Sequence, residues 1–250
     1  MTEVARLALA GGAAVLAGAA NAIAGGGTLI TFPALVALGL PAVVASATNT
    51  VALCPGYLGA TLAQRAALAG QRGRLGRLVP VAALGGAGGA LLLLHSGEAA
   101  FTRVVPYLIL TAAALLAGQG PLRRWLGAPA DHARAEGWAI APIGLAAVYG
   151  GYFGAGLGVI VLAALGVALG EPLPKLNATK QAVSLAVNVA AALVLAGSSA
   201  VDWPIAGAMF AGALAGGALG GVVAARVPAG ALRWTVVALA IVVAARYLAR

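Results

Sequence analysis

Charged residues are scarce in this chain. Only 8% of its 250 residues are Asp, Glu, Lys or Arg, whereas 62% are hydrophobic, and the mean hydropathy is +1.01. A soluble domain of this length carries about 25% charged residues to keep its surface hydrated, and a disordered chain is rich in charge and poor in hydrophobic residues. The composition therefore excludes both classes and predicts a polytopic membrane protein.

Side chains for catalysis and metal binding are equally few. Cys54 is the single cysteine, so no disulfide can form within the chain. The two histidines and the six carboxylates form no cluster at metal-ligand spacing, and no Ser, His and Asp form a plausible nucleophilic set. Basic residues are not interleaved with aromatic ones, as they are in many nucleic-acid-binding proteins. We therefore expect no enzymatic activity, no metal, no cofactor and no nucleic-acid partner.

The apolar segments contain no carboxylate. All six acidic residues lie at the ends of these segments or in loops: Glu3, Glu98, Asp131, Glu136, Glu171 and Asp202. An intramembrane carboxylate is the usual mark of a proton relay or a cation site. The sequence therefore argues against a metal-ion or Na⁺ pathway.

Long uncharged windows indicate where the chain crosses the membrane. No charged residue occurs between Arg6 and Arg65 or within residues 78–97, 137–170, 181–201 and 203–225, and these windows, together with residues 104–122 and 231–249, hold the predicted spans. A helical crossing needs about 20 predominantly apolar residues, and these continuous runs do not alternate as barrel strands do. We predict an all-α polytopic protein with about eight transmembrane helices, in which residues 7–24 are an uncleaved first element.

Glycine and proline recur at one constant offset in residue number along the chain. The offset that carries Gly25 and Gly27 onto Gly156 and Gly158 superposes further short blocks without a gap: Leu38-Gly39 and Pro41 on Leu169-Gly170 and Pro172, Ala47-Thr48 on Ala178-Thr179, and Gly85-Gly86 on Gly216-Gly217. Such self-similarity indicates a duplicated unit. We predict two homologous halves, residues 1–120 and 137–250, joined by a polar cytoplasmic linker over residues 121–136.

Each half begins with an apolar element of unusual length. Residues 137–170 would span about 51 Å as one straight helix, against a hydrocarbon core of about 30 Å, which is too long for one crossing and too short for two. Residues 7–42 present the same problem if residues 43–64 are a span. Glycines interrupt both elements, at residues 25–27 and at residues 154–158. We predict a glycine-broken or re-entrant first element in each half, and such paired interruptions indicate a transporter binding site.

The basic residues bear on the relative orientation of the halves. If each first element crosses once, the repeats are parallel and the fifteen Lys and Arg residues divide ten to five between the two sides; if each is a hairpin, the repeats are inverted and the division is eleven to four. The loop 64–77 holds four arginines, whereas its equivalent, residues 195–208, holds only Asp202 as a charged residue. This reversal favours inverted repeats over parallel ones. Both arrangements place loop 65–77 and the linker in the cytoplasm.

Polar side chains within the apolar windows gather next to the two breaks. At the repeat offset, Asn49 falls on Lys180. Broken helices present unpaired N–H groups and positive dipole ends, which favour anions, and Lys180 adds a positive charge. Lys180 also fits a side chain that snorkels to the interface, and the asparagines also fit interhelical hydrogen-bond partners. The predicted substrate-binding residues are Asn21, Gly25, Gly26, Gly27, Thr28, Thr48, Asn49, Tyr152, Gly154, Gly156, Gly158, Asn177, Thr179, Lys180 and Gln181.

Several segments carry a resemblance to a known family. They are NAIAGGGTLITFP at residues 21–33, LGLP at 38–41, ATNT at 47–50 and AGQR at 69–72, and then GAGLG at 154–158, GEP at 170–172, NATK at 177–180 and VDW at 201–203. With these segments nearly the whole chain resembles the TauE/SafE sulfite exporter family, also called TSUP. The resemblance implies a permease of about eight helices in two repeats for sulfite, sulfoacetate, thiosulfate or related organosulfonates. Leu157, which interrupts the second glycine block, departs from the first copy.

These observations predict a multi-pass transporter of the cell inner (plasma) membrane. With the substrate class that the resemblance implies, it would move a small sulfur oxyanion or organosulfonate by alternating access, with the small anion and the lipid bilayer as its partners; homo-oligomerisation stays open. One alternative is a membrane-embedded enzyme or assembly subunit acting on a lipid or sulfur compound, with Cys54 as its candidate nucleophile. Another alternative is a transporter of a different small solute.

Overall fold

The computed structural model describes residues 2–23, 26–126, 137–169, 171–223 and 229–248, and this part of the chain is helical apart from short connections. Gly25 and residues 127–136 of the predicted linker lie outside the described residues. The prediction of an all-helical protein is confirmed. The helices are α1 (Glu3–Ile23), α2 (Thr28–Ala37), α3 (Ala42–Ala63), α4 (Arg72–Leu126), α5 (Gly137–Tyr152), α6 (Leu157–Leu169), α7 (Leu173–Ala196), α8 (Trp203–Val223) and α9 (Ala229–Leu248), with a short 3-10 helix at Arg65–Leu68.

Glycine and proline set several of the helix boundaries. Gly97, with φ 69° and ψ 161°, bends α4 into two segments, residues 72–96 and 98–126. Pro41 and Pro172 precede α3 and α7 in extended conformations, with ψ 149° and 140°. Their fixed φ suits a helix start, and they lack the N–H that a helix interior would need.

The order of the helices repeats along the chain. Helix α3 begins at residue 42 and α7 at residue 173, the first segment of α4 begins at residue 72 and α8 at residue 203, and the second segment begins at residue 98 and α9 at residue 229. All three pairs of starts are separated by the same offset that relates the sequence blocks. The boundaries of the two halves and of the linker stay a prediction.

Helix α1 packs closely along α8. A Cβ on Gly212 would overlap the carbonyl oxygen of Gly11, and a Cβ on Gly216 would overlap that of Val15. Residue numbers rise together along the two helices, so α1 and α8 run in the same direction. Small residues at this interface let the two backbones approach, as in many membrane helix pairs.

Helix α5 packs in the same way along the first segment of α4. A Cβ on Gly85 would lie 2.9 Å from the carbonyl oxygen of Gly144, and a Cβ on Gly89 would overlap that of Val148. These two helices also run in the same direction. In both contacts, α1 with α8 and α5 with α4, the first helix of one predicted half packs against a helix of the other half.

Polar contacts define two ends of the helical bundle. At the kink end, formed by Gly97, Glu98 and the start of α3, the Glu98 carboxylate accepts hydrogen bonds from the backbone N–H groups of Ala42 and Val43. At the arginine end, formed by residues 65–77, Arg74 pairs with Glu171 at 2.8 Å. Helix α3 therefore runs from the kink end to the arginine end, and the first segment of α4 returns.

Three of the described helices are long and apolar enough to cross a membrane by length and composition, over Glu3–Asn21, Arg72–Leu122 and Leu173–Ala196. Shorter apolar helices cover Thr28–Ala37, Leu157–Leu169 and Trp203–Gly216. On the outer surface Leu84, Leu145 and Leu193 are 75%, 74% and 72% exposed. Such a surface suits lipid contact, which agrees with a membrane protein.

Candidate functional site

A cavity of about 600 Å³ lies between the two broken elements and helices α3, α7 and α8. Gly154 and Gly156 line it at the second break, and Thr28 lines it at the first. Toward the arginine end the lining continues along the last turns of α3 to Ala63 and Gln64. Both breaks therefore meet at one space.

The first break is held by a side chain of α1. Gly26 has φ 90°, a conformation that side chains with a Cβ rarely adopt. The backbone N–H of Gly27 donates a hydrogen bond to Oδ1 of Asn21 at 2.8 Å. A Cβ on Gly27 would lie 2.7 Å from the carbonyl oxygen of Ala17. The chain can therefore turn back against α1 here only because residue 27 is glycine, and α2 begins immediately afterwards at Thr28.

The second break uses two glycines and a tyrosine. Gly154 and Gly156 have φ 78° and 76°, and the hydroxyl of Tyr149 donates a hydrogen bond to the carbonyl oxygen of Ala155 at 2.6 Å. Helix α6 begins at Leu157, a cavity-lining residue. Both breaks therefore place a helix start at the cavity. The N–H groups of Leu29 and Leu157 donate hydrogen bonds to the carbonyl oxygens of Gly26 and Gly154.

Helix α7 brings a positive charge to the second break. The Cδ atom of Lys180 lies 3.6 Å from the position of a Cβ on Gly158, and both residues line the cavity. Asn177 and Gln181 also line it. Residues three and four apart share one side of a helix, so these three side chains form one polar surface of α7. Lys180 is the only charged residue in the described lining.

The described carboxylates lie away from this lining. Asp202 accepts a hydrogen bond from the backbone N–H of Ile205 at 3.1 Å, at the start of α8. Glu98 bonds the start of α3 at the kink end. At the arginine end the hydrogen bond from Arg74 and its charge hold the pKa of Glu171 below the ordinary glutamate value. The cavity therefore combines one cation, amide groups and helix starts, a combination that favours an anion.

Comparison with known proteins identifies the family. Residues 10–247 match the family model for the sulfite exporter TauE/SafE. The chain belongs to this family. It is 32% identical over 200 residues to a "Probable membrane transporter protein" of Haemophilus influenzae Rd, covering 78% of this chain and 75% of that protein. It is also 27% identical over 207 residues to the "Probable membrane transporter protein YfcA" of Escherichia coli K12, covering 80% and 73%.

The TauE/SafE match confirms the family that the sequence motifs indicate, which is a family of membrane transporters. No solved structure matches the chain. The substrate of this TauE/SafE member must therefore be inferred from the residues of its own cavity and tested by experiment.

The structure brings most of the predicted site residues together at this cavity of the TauE/SafE chain. Those that line it are Asn21, Gly26, Gly27, Thr28, Gly154, Gly156, Gly158, Asn177, Lys180 and Gln181. They come from both predicted halves of the sequence, so their meeting is a property of the fold. Their role in binding stays a prediction.

Four predicted residues are not among the lining residues. Asn49 accepts a hydrogen bond from Thr31 and donates one to Thr28 at 3.4 Å. Thr48 accepts one from the backbone N–H of Asp202 at 2.9 Å. These two residues of α3 therefore support neighbouring elements. The other two make similar supporting bonds.

Thr179 and Tyr152 are those other two residues. The hydroxyl of Thr179 donates to the side-chain oxygen of Gln71, which ties α7 to the start of α4. Tyr152 accepts a hydrogen bond on its hydroxyl from Ser96 at 3.2 Å, and one on its carbonyl oxygen from Ser46 at 3.4 Å. In the positions observed here, these side chains contact the protein and not the cavity.

Three polar residues of the lining, Tyr57, Gln64 and Gln119, are not among those predicted from the sequence. Gln119 is 6% exposed and lies in the second segment of α4, far from either glycine break in the sequence. A search for amide side chains throughout the apolar windows, and not only beside the breaks, would have found it. Gln64 follows α3 directly, where the sequence indicates an arginine-rich loop.

Proposed function

We propose that this TauE/SafE chain moves a small sulfur oxyanion or organosulfonate, such as sulfite, sulfoacetate or thiosulfate, out of the cytoplasm by alternating access. The observation that carries the proposal is the convergence of both glycine breaks and Lys180 on one cavity. TauE/SafE is a family of membrane transporters. The identity of the anion, its direction and the residues that bind it belong to the proposal.

Recognition of the anion rests on three kinds of group. The starts of α2 and α6 supply the positive ends of two helix dipoles. Asn177 and Gln181 supply amide donors, and Lys180 supplies a full positive charge. Asn49, through its bonds to Thr28 and Thr31, holds the start of α2 in place and is a positioning residue.

The two halves are inverted relative to each other in this proposal. Helix α5 runs parallel to the first segment of α4, away from the arginine end, and Glu171, which follows α6, pairs with Arg74 at that end. The second hairpin, α5 and α6, thus opens at the arginine end. Helix α1 runs parallel to α8, whose start bonds Thr48 near the kink end, and α2 leads to the start of α3. These contacts support a first hairpin that opens at the kink end.

Inversion accounts for the basic residues as well. With one hairpin and three full spans in each half, eleven of the Lys and Arg residues lie on one side of the membrane and four on the other. The larger number lies at the arginine end. The side richer in Lys and Arg is cytoplasmic, so the arginine end faces the cytoplasm in this proposal. The cavity, which extends to Ala63 and Gln64, is then reached from the cytoplasm.

The membrane potential alone can drive the proposed export. Moving one negative charge outward across an inside-negative potential of 100 mV releases about 2.3 kcal/mol. No carboxylate is among the described lining residues, and an ion-coupled cycle is not needed. The transport rate should therefore depend on the sign of the potential.

The test measures efflux of sulfite or sulfoacetate from right-side-out vesicles at imposed potentials of both signs. We expect faster efflux when the inside is negative. Lys180→Gln should lower the rate by about tenfold or more, because a hydrogen bond from a charged donor contributes about 1.5–3 kcal/mol. Lys175→Gln is the matched control, since Lys175 is an exposed lysine on the same helix and not a lining residue. The proposal is wrong if efflux ignores the sign of the potential and survives Lys180→Gln combined with Asn49→Ala.

A further inference from the structure

Four aromatic rings pack together next to the cavity. The Phe32 and Phe153 rings meet edge to face with centroids 5.2 Å apart, and Phe101 meets Tyr152 in the same manner at 5.3 Å. Phe101 also lies 6.4 Å from both Phe32 and Phe153. The three phenylalanines are at most 1% exposed. We call these four residues the aromatic plug.

The plug lies between the cavity and the kink end. Phe153 directly precedes Gly154, which lines the cavity. On its other side the Tyr152 hydroxyl accepts a hydrogen bond from Ser96, which is next to the bend at Gly97. None of the three phenylalanines is a lining residue. The four rings therefore lie between Gly154 at the cavity and Ser96 at the kink end.

The plug is carried by the elements that form the proposed binding site. Phe32 is one helical turn beyond Thr28 on α2, and Phe153 belongs to the connection between α5 and α6. Phe101 is held by the second segment of α4. A displacement of either break on binding a solute would separate Phe32 from Phe153. Side chains that touch across two broken elements are suited to act as a gate, because closed and open packings are discrete states.

The four aromatic residues of the plug have no aromatic counterparts at the equivalent positions of the repeat. The residue equivalent to Phe32 is Ala163, that equivalent to Phe153 is Ala22, that equivalent to Phe101 is Leu232, and that equivalent to Tyr152 is Asn21. The sequence therefore supplies no matching aromatic set for the arginine end. This difference agrees with a cavity that extends toward the arginine end and stops at the plug.

We infer that the aromatic plug is the gate that separates the cavity from the kink end, and that Phe153 and Phe32 open it when the glycine breaks move. The role of the plug as a gate rests on the proposed transport function. Its physical content, a barrier at one end of the cavity, does not depend on the substrate.

Thiol accessibility tests the gate without any substrate. Cys54 is replaced by alanine, and Ala60, a half-buried lining residue of α3, becomes the reporter as Ala60→Cys. A membrane-impermeant methanethiosulfonate reagent is applied to one side of sealed vesicles at a time. We expect labelling from the arginine end only. With Phe153→Ala added, the labelling rate from the kink end should rise at least about tenfold, because the variant loses the ring contacts with Phe32 and Phe101 that hold the plug closed.

Matched variants separate gating from a general loosening of the protein. Leu162→Ala removes an equally buried side chain from α6 and should leave the kink end closed. Phe153→Leu keeps most of the volume and should restore closure. Retained labelling from the arginine end shows that the cavity is intact. If Phe153→Ala loses that labelling, Phe101→Ala, on α4, decides in its place.

The outcomes distinguish the gate from the transport proposal. Labelling from the arginine end alone in intact Phe153→Ala, or in Phe101→Ala where that variant decides, overturns the gate even if sulfite efflux is measured. Labelling from the kink end in these variants but not in Leu162→Ala supports the gate even if no sulfur anion is transported.

Discussion

At the scale of single residues, glycine has different uses in this chain. Gly26 and Gly154 adopt positive φ at the breaks, where a Cβ would strain the backbone. Gly89 instead lets two helix backbones touch, while Gly88, its neighbour in α4, faces open space. The residue type is the same, but the surroundings set the cost of replacing it.

The neighbours Gly88 and Gly89 allow a direct comparison. In Gly89→Ala the new methyl group would overlap the Val148 carbonyl oxygen and lie 2.8 Å from the Tyr152 nitrogen. Overpacking of this kind costs about 1–3 kcal/mol, so the unfolding temperature in detergent should fall by roughly 5 °C. Gly88→Ala should leave it unchanged or raise it, because alanine is the better helix former. Equal unfolding temperatures for the two variants would contradict the close packing of α4 on α5.

At the scale of elements, short polar networks tie helices together at the bundle ends. At the arginine end Arg74 bonds both Gln71, at 2.9 Å, and Glu171, at 2.8 Å, and Gln71 accepts from Thr179 on α7. These bonds join the start of α4 to Glu171, which precedes Pro172, and to Thr179 of α7, which follows it. Lowering of the Glu171 pKa by Arg74 makes this tie dependent on pH.

The pH dependence of this tie has a definite sign. Because the pKa of Glu171 is lower in the folded protein than in the unfolded chain, the pair stabilises the fold above the ordinary glutamate pKa. The gain is lost as the pH falls through the lowered pKa. Glu171→Gln should therefore reduce the unfolding temperature slightly at pH 7, since pairs near the surface contribute about 1 kcal/mol or less. The difference from the wild type should vanish in acid.

A double-variant cycle checks the assignment to this pair. In an Arg74→Gln background, the pH-dependent difference between Glu171 and Gln at position 171 should shrink, because the hydrogen bond and the charge of Arg74 are gone while the charge of Lys175 remains. A difference that persists at low pH, or that is undiminished in Arg74→Gln, would mean that Glu171 stabilises the fold through another contact.

At the scale of the whole molecule, the two ends differ in charge and in packing. The arginine end carries Arg65, Arg72, Arg74 and Arg77, and the cavity extends toward it. In the proposed inverted arrangement the kink end carries four of the fifteen basic residues, and the aromatic plug lies between it and the cavity. In this arrangement the two halves share one backbone pattern, and their side chains make the two ends unequal.

The inverted arrangement is tested by labelling equivalent loops. Ala69 precedes α4, and Ser199 precedes α8 at nearly the same place in the second half; both are exposed. In a background with Cys54→Ala, we expect Ala69→Cys to react with an impermeant maleimide only from the cytoplasmic side and Ser199→Cys only from the outside. Parallel halves would put both reporters on one side. Reaction from the same side would therefore refute inversion.

Much of the fold could be predicted from the sequence, because a membrane limits the choices. Scarcity of charge, windows of apolar residues and the constant offset between the repeated blocks indicate helices, and the helix starts at residues 42 and 173 agree with that offset. The breaks were also predictable, since helix length and glycine position are local properties. The partners of Asn49 and Thr179 were not, because their orientation depends on which neighbour each helix face meets.

Composition and spacing therefore establish a helical membrane protein with two broken elements, since burial in lipid requires apolar helices whatever their arrangement. Packing decides which polar groups face the cavity. Gln119 lines it and Thr48 does not, although both lie in apolar segments. The direction in which a side chain points follows from the rotation of its helix against several neighbours at once. The aromatic plug likewise exists only because α2, α4 and the turn after α5 meet at one point.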